Sequence, residues 1–290
     1  MVIMFLLVLM IMIFLVQGVA YITLCERHLL GGSQQRVGPN KVSLLGLVQP
    51  IFDGLKLVKK EQLMSIHSVN IFFLVLPGVT FFVMYMEWFL VDYCFSFMTY
   101  ENSILMFLCL IGFSVYSFLM SGVMSNSKYG VLGAVRVSNQ SVSYEIVFSL
   151  YILCVIFFNG SYGFFCNGSV LFFLMFLPLF FVILAELNRA PFDFSEGESE
   201  LVSGYNVEFG SVSYALFYIG EYGSLLFFSY FLVMMFFFGS LFVFFLIFCF
   251  MIFVRSSYPR FRYDMLMGLF WFVMLPLVLY FLWFFSVVVL

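Results

Sequence analysis

Charge is what this sequence has least of: 9% of its 290 residues are Asp, Glu, Lys or Arg, against 64% hydrophobic. A soluble domain carries roughly 25% charged residues and covers its surface with them, so a water-soluble fold is excluded. Histidine is nearly missing. His28 and His67 both fall near the first polar segment, which leaves no paired axial ligands for a membrane haem. The six cysteines (Cys25, Cys94, Cys109, Cys154, Cys166, Cys249) are scattered and form no C-x-x-C pair, so neither an iron-sulfur cluster nor a zinc site is encoded and free, buried thiols are expected. Any redox centre must then sit on a partner. The first basic residue is Arg27, so the charged n-region of a signal peptide and the Arg-rich start of an imported precursor are both missing. Residues 1–24 are therefore expected to be kept as a span. Thr23, Thr80 and Thr99 stand against 45 phenylalanines, a skew that fits a base-biased coding strand of the kind organelle genomes carry.

Apolar runs fill the space that charge leaves. Blocks of about 20 residues recur, each long enough to cross roughly 30 Å of hydrocarbon as a helix. They predict one polytopic, all-α membrane domain over 1–290, with eight spans at about 1–24, 69–91, 102–123, 137–158, 169–187, two within 211–254, and 265–289. The stretch from Ser211 to Val254 carries the single charge Glu221 and would extend about 66 Å as one helix, enough for two crossings, with the turn between them not placed by the pattern. The basic residues test the count independently. Arg27, Arg36, Lys41, Lys56, Lys59 and Lys60 follow span one, Lys128 and Arg136 follow span three, Arg189 follows span five, and Arg255, Arg260 and Arg262 follow span seven. All of them lie in odd-numbered connections, which puts those connections on the positive-inside face, the matrix side, and both termini on the opposite side.

In the first connection Gly38-Pro39-Asn40 makes a turn. Leu44, Leu47, Val48, Ile51, Leu55 and Val58 then recur at helical spacing opposite Asp53, Lys56 and Lys60. That pattern predicts an amphipathic helix lying in the interface. Glu26-Arg27-His28, with Arg36 and Lys41 close behind, are ordinary interface anchors singly; grouped beside such a helix they suggest the rim of a pocket for an amphipathic ligand.

Acidic residues inside apolar spans are the strongest chemical signal. Glu87, Glu145 and Glu221 sit in or at the edge of spans, where a carboxylate is costly and can exchange protons. Ser138, Ser141, Glu145 and Ser149 recur at three- and four-residue intervals and form one stripe that must face protein or water. Hydroxyl glue between helices would explain the serines but does not need Glu145, so a proton-conducting role is preferred there. For Glu87, near a span end, an interface carboxylate is preferred. The connection after span five holds Glu186, Asp193, Glu196, Glu198, Glu200 and Glu208 with the single cation Arg189, on the face that elsewhere holds the basic residues. A capping box at Ser195-x-x-Glu198 accounts for one or two of these; the rest read as a functional acidic funnel.

The polar connections, taken as strings, resemble the chain-one family of respiratory complex I. The matching segments are Glu26-Arg27 with Arg36 and GPNK (38–41), QPIFDGLKLVKKE (49–61), SNSKYGVLGAVR (125–136), SYE (143–145), NRAPFDFSEGESELVSGYNVEFG (188–210), EY (221–222) and RSSYPRFRYDMLM (255–267). They lie in order along nearly the whole chain. The resemblance implies a core membrane subunit of proton-pumping NADH:ubiquinone oxidoreductase in the mitochondrial inner membrane. By it, Glu26, Arg27, Arg36 and Asp53 line or flank the path by which ubiquinone, the substrate, reaches its site. Glu145, Glu186, Glu196, Glu198, Glu200, Glu208 and Glu221 form an acidic path towards proton-pumping subunits, and Arg255, Arg260, Arg262 and Asp264 seat the peripheral arm.

NADH, FMN and the iron-sulfur clusters belong to partner subunits, and this chain binds no cofactor of its own. The implied partners are quinone-module subunits on the matrix side, small membrane subunits, antiporter-like subunits and membrane lipids, with no nucleic acid. The chain departs from the family pattern at His28, at Asn139-Gln140-Ser141, and in short connections after spans four and six. A proton-coupled secondary transporter would also bury carboxylates, but it predicts an internal repeat that the sequence does not carry. A homologous subunit of a membrane-bound hydrogenase shares the motifs and is disfavoured by the base bias. A purely structural scaffold is weighed against by Glu145 and Glu221.

Overall fold

The computed structural model describes residues 2–62, 70–91, 102–164, 173–193, 204–206 and 208–289. Its helices are α1 (Val2–Ser33), α2 (Gln49–Lys59), α3 (Asn70–Phe89), α4 (Ser103–Met124), α5 (Lys128–Asn159), α6 (Phe176–Glu186), α7 (Ser211–Phe236) and α8 (Leu241–Ser257). The last, α9, runs through Tyr263–Leu269, a π-helical turn at Phe270–Met274, and Leu275–Val289. Six of these, α1, α3, α4, α5, α7 and α9, are long and apolar enough to cross a membrane, and α6 and α8 are shorter apolar helices. With the interface-type helix α2, this is the all-helical architecture that the apolar runs predict. Large apolar side chains such as Phe14, Phe113, Phe242 and Phe272 point outward, as hydrocarbon surroundings require.

The element bounds correct the expected spans in two places and locate a turn that the pattern left open. First, α1 continues to Ser33, so Glu26, Arg27 and His28 stand on the helix itself rather than after it. Second, α5 starts at Lys128, where Ser127 caps it by accepting a hydrogen bond from the Gly130 amide at 3.2 Å. Lys128 and Arg136 therefore lie in its opening turns. The turn between the two crossings in 211–254 falls at Phe237–Ser240, where Phe238 (φ 53°) and Gly239 (φ 74°) take the left-handed conformation that reverses the chain.

The central helix is α7, most of whose side chains are buried; it packs against α1, α3, α6 and α8. Lipid is as apolar as leucine, so packing and close approach, rather than expulsion from water, hold such helices together. The α4–α5 contact shows this. A Cβ at Gly122 would run into the Cβ of Ala134 and sit 2.5 Å from the Gly130 carbonyl oxygen. Between α4, α5 and α7 the rings of Phe107, Phe148, Phe227 and Phe231 pack tilted or edge to face, Phe107 lying 5.1 Å from Phe227 and from Phe231. Each such pair adds about 0.5–1.5 kcal/mol beyond area burial. The π turn of α9 sets Phe270 against Tyr144 of α5, centroids 4.3 Å apart.

The amphipathic helix forms at Gln49–Lys59, after a 3-10 turn at Leu44–Gly46. It packs against α1 and α7, and Ile51, Phe52, Leu55 and Val58 remain exposed. That apolar face fits a helix lying in the membrane interface.

Candidate functional site

The site begins where α1 leaves the bundle. Glu26 is 3% exposed, and a lone carboxylate buried that deeply would be prohibitively costly. It is compensated twice: Arg189 donates to its Oε1 at 3.2 Å and Arg255 at 2.5 Å. Arg189 also lies over the Tyr222 ring, 4.1 Å from its centroid, a cation–π contact, and the Tyr218 hydroxyl donates to that of Tyr222 at 2.9 Å. Burial alone would lower the Arg189 pKa. The Glu26 carboxylate, Tyr222 and Glu221 more than offset it and hold the guanidinium above its ordinary value, so Arg189 stays charged at any working pH.

These groups line a cavity of about 300 Å³ whose walls include Thr23, Arg27, Asp193, Tyr214 and Glu221. Its lining combines charged groups on α1 and α7, three tyrosines of α7 and the apolar Leu30, Leu187 and Ala190, a mixture suited to a ligand with polar and apolar parts.

Of the residues expected at a quinone site, Glu26 and Arg27 line this cavity. Asp53 stands behind Arg27, accepting from it at 3.2 Å and so tying α2 to α1. Arg36 lies apart, its Nε donating to Gln34 at 2.8 Å at the exposed end of α1. Arg255 turns inward onto Glu26 with half of its side chain still exposed. Arg260 pairs with Asp193 at 3.2 Å, and Arg262 and Asp264 are exposed at the start of α9. Motif reading missed Tyr214, Tyr218 and Tyr222 as lining groups and Arg189 as the partner of Glu26. Its one signal for Arg189 was that residue's isolation among carboxylates.

A second, smaller cavity of about 60 Å³ adjoins the first, lined among others by Thr80, Glu87, Ser114, Glu186, Asn188 and Glu221. The chain passes between the two at the end of α6. Glu186 faces the small cavity, Leu187 and Asn188 line both, and Arg189 faces the large one. Asn188 makes the turn at φ 49°, a conformation that asparagine tolerates better than most side chains. Glu221 on α7 also lines both cavities.

Glu87 corrects an expectation. Placed by its position near a span end, it reads as an interface carboxylate; it is 4% exposed, because the last turn of α3 packs under α7, with Trp88 edge-on to Phe227. Glu145 is half-buried on α5, its Oε1 2.6 Å from where a Cβ at Gly112 would stand, and it lies within electrostatic reach of Glu186. The serines of its stripe spend their hydroxyl protons within their own helix: Ser138, Ser141 and Ser149 each donate to the carbonyl three residues earlier in α5, at 2.9, 2.9 and 3.0 Å. Glu208 is half-buried before α7, and Glu196, Glu198, Glu200 and the Ser195 capping box lie outside the described residues. Among the described residues no cluster of His, Cys, Asp and Glu is placed to hold a metal ion.

Comparison with known proteins identifies the family of the chain. Residues 6–286 match the family model described as NADH dehydrogenase. NADH-ubiquinone oxidoreductase chain 1 of the squid Heterololigo bleekeri is 44% identical over 281 residues, 90% of each chain. The same chain of Aedes aegypti is 43% identical over 292 residues, covering 96% of this chain and 93% of that one, and that of Metridium senile 42% identical over 302 residues, covering 94% and 90%. A family match over nearly the whole length, with relatives well above 30% identity, places the chain: it belongs to the NADH dehydrogenase family, whose curated members include chain 1 of NADH-ubiquinone oxidoreductase.

Proposed function

We propose that this chain, as the chain-1 subunit of complex I in the mitochondrial inner membrane, receives ubiquinone in the larger cavity and passes the electrostatic consequence of its reduction along buried carboxylates. The observation that carries this reading is the position of Glu221, which lines the charged cavity and the acidic one at once. Electrons arrive from NADH through flavin and iron-sulfur clusters on partner subunits of the peripheral arm. Arg260, Arg262 and Asp264, with the exposed half of Arg255, form the charged surface on which that arm docks.

Reducing a quinone adds two electrons and requires two protons. Arg189 and Arg255 hold positive charge beside the headgroup, while Glu26 keeps them fixed and prevents their burial from being ruinous. Removing protons from, or adding charge to, a cavity of low dielectric is felt strongly at a neighbouring carboxyl. Glu221 is that neighbour, and Glu186 and Glu145 continue the line into α6 and α5. Glu208 and, by the family resemblance, Glu196, Glu198 and Glu200 also belong to this acidic path. Small membrane subunits would meet its far end at the half-exposed Glu145, and antiporter-like subunits would lie beyond them.

A photoreactive ubiquinone analogue tests the first half of this reading in native membranes. Labelling is expected on α1 near Arg27 and on α7 near Tyr218, and excess ubiquinone should suppress it. Labelling confined to other subunits would overturn the assignment.

A further inference from the structure

We propose that Glu87 and Glu186 are a buried carboxyl pair that holds and exchanges a proton across the smaller cavity, making Glu87 a member of the proton path. The inference rests on the path reading above and adds to it a residue whose sequence position had suggested only an interface carboxylate.

Hydrogen-bond inventory carries it. Glu87 is more than nine-tenths buried, and among the described residues its Oε2 has no hydrogen-bond partner; nor has Glu186 Oε2 or Asn188 Oδ1. All three residues line the same cavity. The hydroxyls around them are already committed as donors: Thr80 to the Pro77 carbonyl at 2.8 Å, Ser114 to Ile111 at 2.7 Å and Ser224 to Glu221 at 2.9 Å. Among the side chains lining the cavity this leaves the Asn188 amide as a donor against an excess of acceptor oxygens. Among the described residues no Lys, Arg or His lines it.

Glu221 interacts with Arg189 on its other side, whereas Glu87 feels the Glu186 carboxyl and Glu186 feels that of Glu145. Two carboxylates facing one small cavity with no cation among its described lining do not both stay ionised, and burial without hydrogen-bond partners is costly for either. A proton on one of them supplies the missing donor. The cavity's volume of about 60 Å³ admits a short chain of water. Transfer then breaks an O–H bond at one carboxyl and makes one at the other through water, with no other change of atoms or electrons.

The test is infrared difference spectroscopy of the intact complex in its membrane, between oxidised and NADH-reduced states, in H₂O and D₂O. A protonated-carboxyl C=O band that shifts in D₂O is expected in the unaltered complex, lost or much reduced in Glu87→Gln and in Glu186→Gln, and restored in part by Glu87→Asp. An unaltered complex without such a band, or a Glu87→Gln complex that keeps the full band, overturns the pair. So does a band that responds to sodium but not to D₂O, since the cavity would then hold a metal cation. If Glu87→Gln fails to assemble, the spectrum of the unaltered complex and the Asp variant decide. Pumping separates the two proposals: Glu186→Gln and Glu221→Gln pumping at the full proton-to-electron ratio sinks the path, whereas their loss of pumping beside an unchanged Glu87→Gln band sinks only the pair.

Discussion

Arg189 reaches across 163 positions of sequence to donate to Glu26 at 3.2 Å, and this buried contact joins the end of α6 to the end of α1. Arg255 meets the same carboxylate oxygen, so one acidic side chain organises three helices around the larger cavity.

Removing Glu26 takes away the carboxylate to which Arg189 and Arg255 both donate, leaving the largely covered Arg189 without its ion-pair partner. Glu26→Ala should therefore cost about 3–5 kcal/mol, as broken buried pairs do. Much less assembled complex should be recovered from membranes. Asp53→Ala breaks a pair whose side chains are 47% and 50% exposed, and is expected to cost only about 0–1 kcal/mol and leave assembly nearly normal. Equal recovery of the two variants, read by native electrophoresis and thermal inactivation, would refute the ranking.

Gly112→Ala tests whether the place of Glu145 matters. The added methyl would sit 2.6 Å from Glu145 Oε1, so the carboxylate must swing away. Coupled proton pumping should fall, while NADH oxidation by an artificial acceptor at the flavin stays normal. Normal pumping in an assembled Gly112→Ala complex would show that the present position of Glu145 is not required.

The membrane orientation rests on the twelve basic residues, all in odd-numbered connections or the helix ends beside them. Single cysteines introduced as Lys41→Cys, Lys128→Cys and Ser257→Cys should react with an impermeant reagent from the matrix side. Reaction from the intermembrane side at any of the three would invert or break the proposed topology.

How much of this was legible beforehand differs between fold and site. Apolar runs and basic connections located every helix, because a bilayer sets length and charge side independently of the neighbours. Periodicity likewise found α2. The exact ends were less legible: α1 and α5 continue past the hydrophobic signal, since a helix that leaves the membrane need not stop there.

Side-chain partnership was the least legible. Glu26, Arg189 and Arg255 lie 163 and 229 positions apart, and no local pattern reports such a meeting. Glu87 shows the same limit. Distance along α3 put it near the membrane edge, but the way α3 packs against α7 decides that it is buried. The serine stripe of α5 was found by period, yet its hydroxyls turn back onto their own helix, which period alone does not reveal.

The central claim is that Glu221, shared by the two cavities, links events at the quinone to the buried carboxylates. Glu221→Gln keeps the volume and a hydrogen-bonding group but removes the exchangeable charge. The decisive measurement is the proton-to-electron ratio of the assembled variant complex during NADH oxidation by ubiquinone, with artificial-acceptor activity at the flavin as control. The account predicts an unchanged control and a loss of pumping, with quinone reduction slowed alongside it. A Glu221→Gln complex with full quinone reductase activity and the full ratio would contradict it.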